Sequence, residues 1–252
     1  RIETYGNDNK LYHVTVNQVD QTSLGNGRYF PFTTQTFDCD YPGNGTPKVT
    51  ATDFAYDTST GNLTNKIVYG QVTGFNPTNT GSFSFTDADS TDTEYHNTHY
   101  ASISGNSYIL NCPDNTSLTY SGNNVIQETK YTYNSSSGTI ATKLARISPG
   151  YYATNTYGSY TTYGLVGTIT DPVGVQTAIT YDSTYNTFPA TKTTGSFTTT
   201  TGYDSRSGQL ATSTDPAGIT ISNSFDVFQR PIESDKIPVG GGSSVWIKKF
   251  GY

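Results

Sequence analysis

A short pattern recurs five times along the chain: an aromatic residue, Asp or Asn, three variable residues, usually Gly or Asn, one further variable residue, then an apolar residue. The segments are Tyr56-Asp57 with Gly61 and Leu63, Tyr133-Asn134 with Gly138 and Ile140, Tyr181-Asp182 with Asn186 and Phe188, Tyr203-Asp204 with Gly208 and Leu210, and Phe225-Asp226 with Arg230 and Ile232. The last three follow one another at a spacing of 22 residues. Each position has a physical job. Asp or Asn opening a turn accepts hydrogen bonds from backbone N–H groups just ahead of it. Gly or Asn four residues later tolerates a positive φ. The apolar residue then resumes the inward face of the next strand. A second turn signal, Asp-Pro-x-Gly, falls between copies at Asp171-Pro172-Val173-Gly174 and Asp215-Pro216-Ala217-Gly218, 44 residues apart. Between the two signals lie alternating segments such as Val175, Thr177, Ile179 and Tyr181, whose period of two marks strands. The unit is a strand, a tight turn and a strand, and successive hairpins can add to one sheet.

Composition points the same way. About 45 threonines and 21 tyrosines, with only 13% charged residues and no Met, suit a pleated half-exposed surface far better than amphipathic helices. An all-β chain of consecutive antiparallel hairpins follows. A net charge of −6, thinly spread, argues against nucleic acid as a partner. No stretch approaches the roughly 20 apolar residues of a membrane span. The start, Arg1-Ile2-Glu3-Thr4-Tyr5, has neither an initiator Met nor an apolar leader, and Lys248 to Tyr252 reads as the lead-in to another repeat. The expectation is a fragment of a longer protein.

These segments resemble the Rhs or YD-repeat family, named after the Tyr-Asp pair followed by glycine. Thr168-Ile169-Thr170-Asp171-Pro172-Val173-Gly174 through Tyr181-Asp182, and Tyr203-Asp204 through Arg230-Pro231, look like successive family repeats. Tyr181 through Pro189 is similar to a variant found in the shell-forming part of insecticidal Tc-type B components. Asn134, Phe225, Asn186 and Arg230 depart from the pattern. The resemblance implies a curved sheet strip belonging to a hollow β-shell. Such a shell encloses or displays a C-terminal toxin-like polypeptide, or forms a barrel in adhesion receptors such as teneurins. It further implies a non-enzymatic, secreted or cell-surface structural segment without cofactors. Its partners would be the rest of its own shell, the enclosed domain, and neighbouring copies or cell-surface glycans.

Residues 165–252 read as regular repeat hairpins, and 1–164 as degenerate β-structure with a loop-rich insertion near 70–130; no domain boundary stands out. Asp87, Asp89, Asp92 and Glu94 are dense enough in carboxylates to suggest calcium. Their spacing departs from an EF-hand and a solvated acidic loop is the plainer reading. His96 and His99 have a ligand spacing only on a helix, which this region is not. With three histidines and no Gly-x-Ser-x-Gly elbow, a nucleophilic triad is not supported. The recurring Asp residues sit in turns, so turn capping accounts for them without glycoside chemistry. Tyr151, Tyr152, Tyr157, Tyr160 and Tyr163 suit either cross-strand packing or stacking on sugars. The latter defines the alternative function, an adhesion or carbohydrate-binding module. Cys39 and Cys112 are compatible with one disulfide or with two free thiols.

Overall fold

Alternating β-branched and aromatic residues leave this chain nothing to build but strands. The computed structural model describes residues 1–42, 45–78, 81, 83–103, 110–120 and 124–251, so the repeat lead-in read at Tyr252 lies outside the described residues. Among them are nineteen strands and no helix, hence no helix long and apolar enough to cross a membrane. The chain divides into two compact units: residues 1–138 with 143–152, and residues 139–142 with 153–252.

The first unit holds β1 (Ile2–Tyr5), β2 (Leu11–Gly25), β3 (Arg28–Asp40), β4 (Lys48–Asp57), β5 (Asn62–Thr73), β6 (Thr86–Asp87), β7 (Glu94–Tyr100), β8 (Pro113–Tyr120) and β9 (Asn124–Tyr133). Each pairs antiparallel with its neighbour in sequence, except that β5 pairs with both β6 and β7. β10 (Ile140–Ser148) and β11 (Tyr151–Gly158) contribute residues to both units. The period of two along β2 and β3 sends Val14, Val16, Phe37 and Cys39 to one face, where they are buried with Val49, Ala51 and Val72. Phe75 lies flat on Phe37 with ring centroids 3.8 Å apart, and Phe83 and Phe85 pack around the same ring. Part of the stretch expected to be a loop-rich insertion thus supplies the second layer of the core. Burying an aromatic side chain this way stabilises by about 1.5–3 kcal/mol. Another part supplies the strands Glu94–Tyr100, Pro113–Tyr120 and Asn124–Tyr133, each paired antiparallel with the next.

The second unit runs through β12 (Thr168–Thr170), β13 (Gln176–Tyr181), β14 (Pro189–Thr194), β15 (Phe197–Tyr203), β16 (Leu210–Thr214), β17 (Thr220–Phe225), β18 (Pro231–Ile237) and β19 (Val245–Lys249). Every strand pairs antiparallel with the next. None of its described residues is fully buried, so this sheet is a single layer. Cross-strand threonines take over part of the cohesion. Thr177 meets Thr194, Thr180 meets Thr191, Thr193 meets Thr198 and Thr214 meets Thr220, hydroxyl to hydroxyl at 2.7–3.0 Å. Each pair is worth roughly 0.2–1 kcal/mol relative to alanines, which gives the abundance of threonine a physical purpose.

Candidate functional site

The repeat turn recurs along the chain from Asp57 to Asp226, and it comes in two lengths. In the longer form, Asp204 Oδ1 accepts the N–H groups of Arg206 and Ser207 at 2.9 and 3.2 Å. The Gly208 N–H closes the turn on the Asp204 carbonyl at 2.8 Å with φ of 71°. Asp57, Asn134 and Asp182 open turns closed likewise by Gly61, Gly138 and Asn186, at φ of 80°, 68° and 53°. The Asp182 carboxylate takes four backbone N–H groups, from Thr184, Tyr185, Thr187 and Phe188.

In the shorter form, the acceptor takes the N–H groups two and four residues ahead, and the positive φ falls one position earlier. Asp171 takes Val173 and Val175 at 3.0 and 2.8 Å, and Asp215 takes Ala217 and Ile219, both at 2.9 Å. Gly174 and Gly218 carry φ of 91° and 84°. Asp226 belongs to this form: it takes Phe228 and Arg230, both at 2.9 Å, and Gln229 has φ of 65°. Aligning Arg230 with the turn glycines is therefore corrected. The Phe225-Asp226 turn is one residue shorter, and Arg230 instead returns its side chain to Asp226 Oδ2 at 2.7 Å. Thr161 opens a further short turn that the Asp/Asn template misses, its hydroxyl accepting Tyr163 and Leu165 N–H groups and Gly164 sitting at 79°.

These bonds favour the charged carboxylate. Asp182 is held below the ordinary aspartate range chiefly by the Tyr185 N–H, Asp204 by the Arg206 N–H, Asp226 by the Arg230 N–H and Asp57 by the Ser59 hydroxyl. A carboxylate so occupied is a turn staple, whereas a general acid needs its proton held on.

The repeat aromatic has its own role. The Tyr181 hydroxyl donates to the Val166 carbonyl at 2.8 Å, Tyr203 to Pro189 at 2.9 Å, Tyr133 to Pro113 at 2.6 Å and Tyr100 to Leu63 at 3.0 Å. The register makes these one and the same contact. In every case the tyrosine lies three residues beyond one member of a strand pair, and the acceptor two residues before the other; the pairs are Ala178↔Thr168, Thr200↔Thr191, Lys130↔Asn115 and Asn97↔Asn65. The tyrosine latches the end of its strand to the start of the preceding one. Phe225 has no hydroxyl. From the pair Ser222↔Thr212 its acceptor would be the Leu210 carbonyl, and Asn223 Nδ2 donates to that atom at 3.0 Å. Tyr160 makes a similar bond to the Ile140 carbonyl, so it is a repeat tyrosine. Burial pushes Tyr133 up to about 12, and raises Tyr181. Neighbouring turns also touch: the Phe188 ring stacks on Tyr203 at 4.8 Å, and a Cβ on residue 208 would lie 2.6 Å from that ring. Glycine at 208 thus serves both the turn and its neighbour.

The other sequence candidates are dispersed. Asp87 accepts Thr93 and Asp89 accepts Thr91, the Asp92 carboxylate lies over Gly70, and Glu94 accepts Tyr120 and pairs with His96. Among the described residues, no three His, Cys, Asp or Glu side chains gather where a metal would sit. His96 and His99 alternate to opposite faces of β7, and His99 pairs with Asp114. Cys39 and Cys112 are both free thiols, one of the two readings left open by the sequence. Cys39 is buried on β3, where burial pushes its pKa up to about 11, and Cys112 precedes β8 with β4, β5 and β7 between them in pairing order. Tyr152 joins Glu128 and Lys130, while Tyr151 and Tyr163 are 71% and 68% exposed.

A crystal structure of TcdB2-TccC3-TEV matches this chain with a TM-score of 0.64 at 11% identity, covering 96% of this chain and 16% of that one. The fold is Rhs/YD-shell-like. At that identity the likeness is one of fold, and this chain spans about a sixth of the matched protein. TcdB2-TccC3-Cdc42 is similar with a TM-score of 0.39 at 12% identity, over 82% of this chain and 14% of that one. The Photorhabdus luminescens Tc holotoxin pore with a mutated TccC3 has a TM-score of 0.38 at 11% identity, over 81% and 13%. No family model and no curated protein sequence matches.

Proposed function

We propose that this chain is a non-enzymatic wall segment of a secreted or cell-surface β-shell that encloses or displays another polypeptide. The observation that carries this reading is the likeness to TcdB2-TccC3-TEV over 96% of the chain at a TM-score of 0.64. Two features support it. The second unit is a single-layer sheet with no fully buried residue among those described, as a thin wall requires, and most of its hairpins are fixed by a turn staple or a latch, so strands add without a thick core. Limited proteolysis of the native protein containing this chain tests it. A segment shielded by the wall is expected to survive until the sheet is unfolded. Digestion of every other segment at the rate of a free polypeptide overturns the reading. A second reading, glycan stacking, rests on the exposure of Tyr151 and Tyr163; retention on a glycan array that is lost in Tyr151→Ala or Tyr163→Ala would favour it.

A further inference from the structure

Away from the turns and latches, a polar cluster joins β8, β9 and Tyr152. Asn115 on β8 and Lys130 on β9 are directly opposite in the antiparallel register. Glu128 precedes Lys130 by two residues on the same face, and its side chain is only 14% exposed. Its Oε1 accepts both the Lys130 Nζ, at 3.1 Å, and the Asn115 Nδ2, at 3.2 Å, so amine and amide are held on one oxygen. The Tyr152 hydroxyl fixes the carboxylate from the other side, donating to Oε2 at 2.5 Å and accepting from Lys130 Nζ at 2.9 Å. The Asn115 Oδ1 is buried and has no hydrogen-bond partner among the described residues. A buried carbonyl oxygen without a donor is costly, and here it belongs to an electrophilic carbon beside a primary amine.

We propose that Lys130 and Asn115 are the site of an intramolecular isopeptide cross-link between β8 and β9, with Glu128 as the catalytic proton carrier. The ammonium of Lys130 passes a proton to Glu128 across their ion pair, and the freed lone pair attacks Asn115 Cγ. Protonated Glu128 supplies the Oδ1 atom with the donor it lacks as negative charge develops there. The Cγ–Nζ bond forms, the Cγ–Nδ2 bond breaks, and the departing nitrogen leaves as ammonium with the proton returned from Glu128. No oxidant or other reagent enters. The pair at rest is charged: hydrogen bonds from Tyr152 and Glu128 raise Lys130, and the Tyr152 hydroxyl lowers Glu128. The reactive form holds the same number of protons, merely redistributed, so it remains accessible as a minor tautomer and the bond forms slowly. The Lys130 side chain keeps 41% exposure, which gives the small leaving group a path to solvent. The link would tie two strands of a thin sheet covalently, as no disulfide does here.

Intact-mass measurement of the purified chain, fresh and after prolonged incubation, tests this. The expected result is a mass lower than that of the sequence by about 17 Da, the loss of one ammonia, with a proteolytic fragment joining the peptides of Asn115 and Lys130. Glu128→Gln and Lys130→Arg are both expected at full mass. A wild-type chain that stays at full mass after incubation overturns the proposal, whether or not the variants fold. So does a loss that persists in Lys130→Arg, which would place the lost ammonia at an asparagine cyclising on its own backbone.

Discussion

Replacing Tyr133 by Phe removes one oxygen and nothing else, and so isolates the latch. That hydroxyl donates to the Pro113 carbonyl at 2.6 Å from a half-buried position, where burial has already pushed its pKa up to about 12. A net hydrogen bond of this kind is worth about 0.5–1.5 kcal/mol, and its loss leaves the carbonyl without that donor, so a cost of about 1 kcal/mol is expected. With a urea m-value of about 2–3 kcal/mol/M, the unfolding midpoint followed by circular dichroism falls by roughly 0.3–0.5 M. Tyr56→Phe is the internal control: the Tyr56 ring packs on Phe30 and Phe32, and its hydroxyl has no partner among the described residues, so no shift is expected. A second arm uses the natural substitution at Phe225. Asn223→Ala is expected to cost about as much as Tyr133→Phe, because it strips the Leu210 carbonyl of its donor. Adding Phe225→Tyr to Asn223→Ala restores a hydroxyl at the latch position and is expected to recover the loss. An unshifted midpoint for Tyr133→Phe, or a double variant no more stable than Asn223→Ala alone, would refute the equivalence drawn from the register.

Phe75→Ala, which removes the ring stacked on Phe37 at 3.8 Å, is expected to cost about 3–5 kcal/mol in the same assay; a loss below about 1 kcal/mol would mean that Phe75 does not cover the core. Gly208→Ala and Gly195→Ala both force an alanine into positive φ, at 71° and 58°, but only residue 208 faces a ring at 2.6 Å. The first variant is therefore expected to be less stable than the second by at least about 1 kcal/mol, and equal midpoints would argue against the turn-to-turn contact. The pH dependence follows from Asp57, Asp182, Asp204 and Asp226, whose folded pKa values are depressed. Their contribution is present above the unfolded value of about 3.9 and is lost as pH falls through the folded values. The urea midpoint is expected to drop below about pH 4, whereas His13, whose folded pKa is raised chiefly by its hydrogen bond to Asp40, adds stability on protonation between about pH 7 and 5. A midpoint that rises on acidification below about pH 4 would contradict the staple geometry.

What could be read from the sequence was the chemistry that is local. An Asp followed four residues later by Gly or Asn announces its turn because both partners lie within five residues, and Asp57, Asp182 and Asp204 sit in such turns. Reading failed where one function is served by different atoms. The Thr161 hydroxyl takes the part of the carboxylate, and Asn223 the part of a tyrosine. It failed again at Arg230, because two turns differing by one residue share an opening, and the N–H groups that Asp226 accepts and the positive φ at Gln229 tell them apart. Tyr100 was invisible for another reason: Ala101 follows it, and its latch exists only once β5 and β7 are paired in register. Likewise, nothing near Phe75 in sequence says that it will lie on Phe37. These failures bear on why the chain shares only 11% identity with a structure of the same fold. Where a fold is specified by side-chain bonds to backbone atoms, each turn constrains one acceptor and one positive-φ position, and each latch one donor. Backbone acceptors are present whatever the side chain, so the donors can change identity or shift by two residues while strand order and register persist. Little buried volume has to be matched, and the sequence is free to drift around a few fixed points per hairpin.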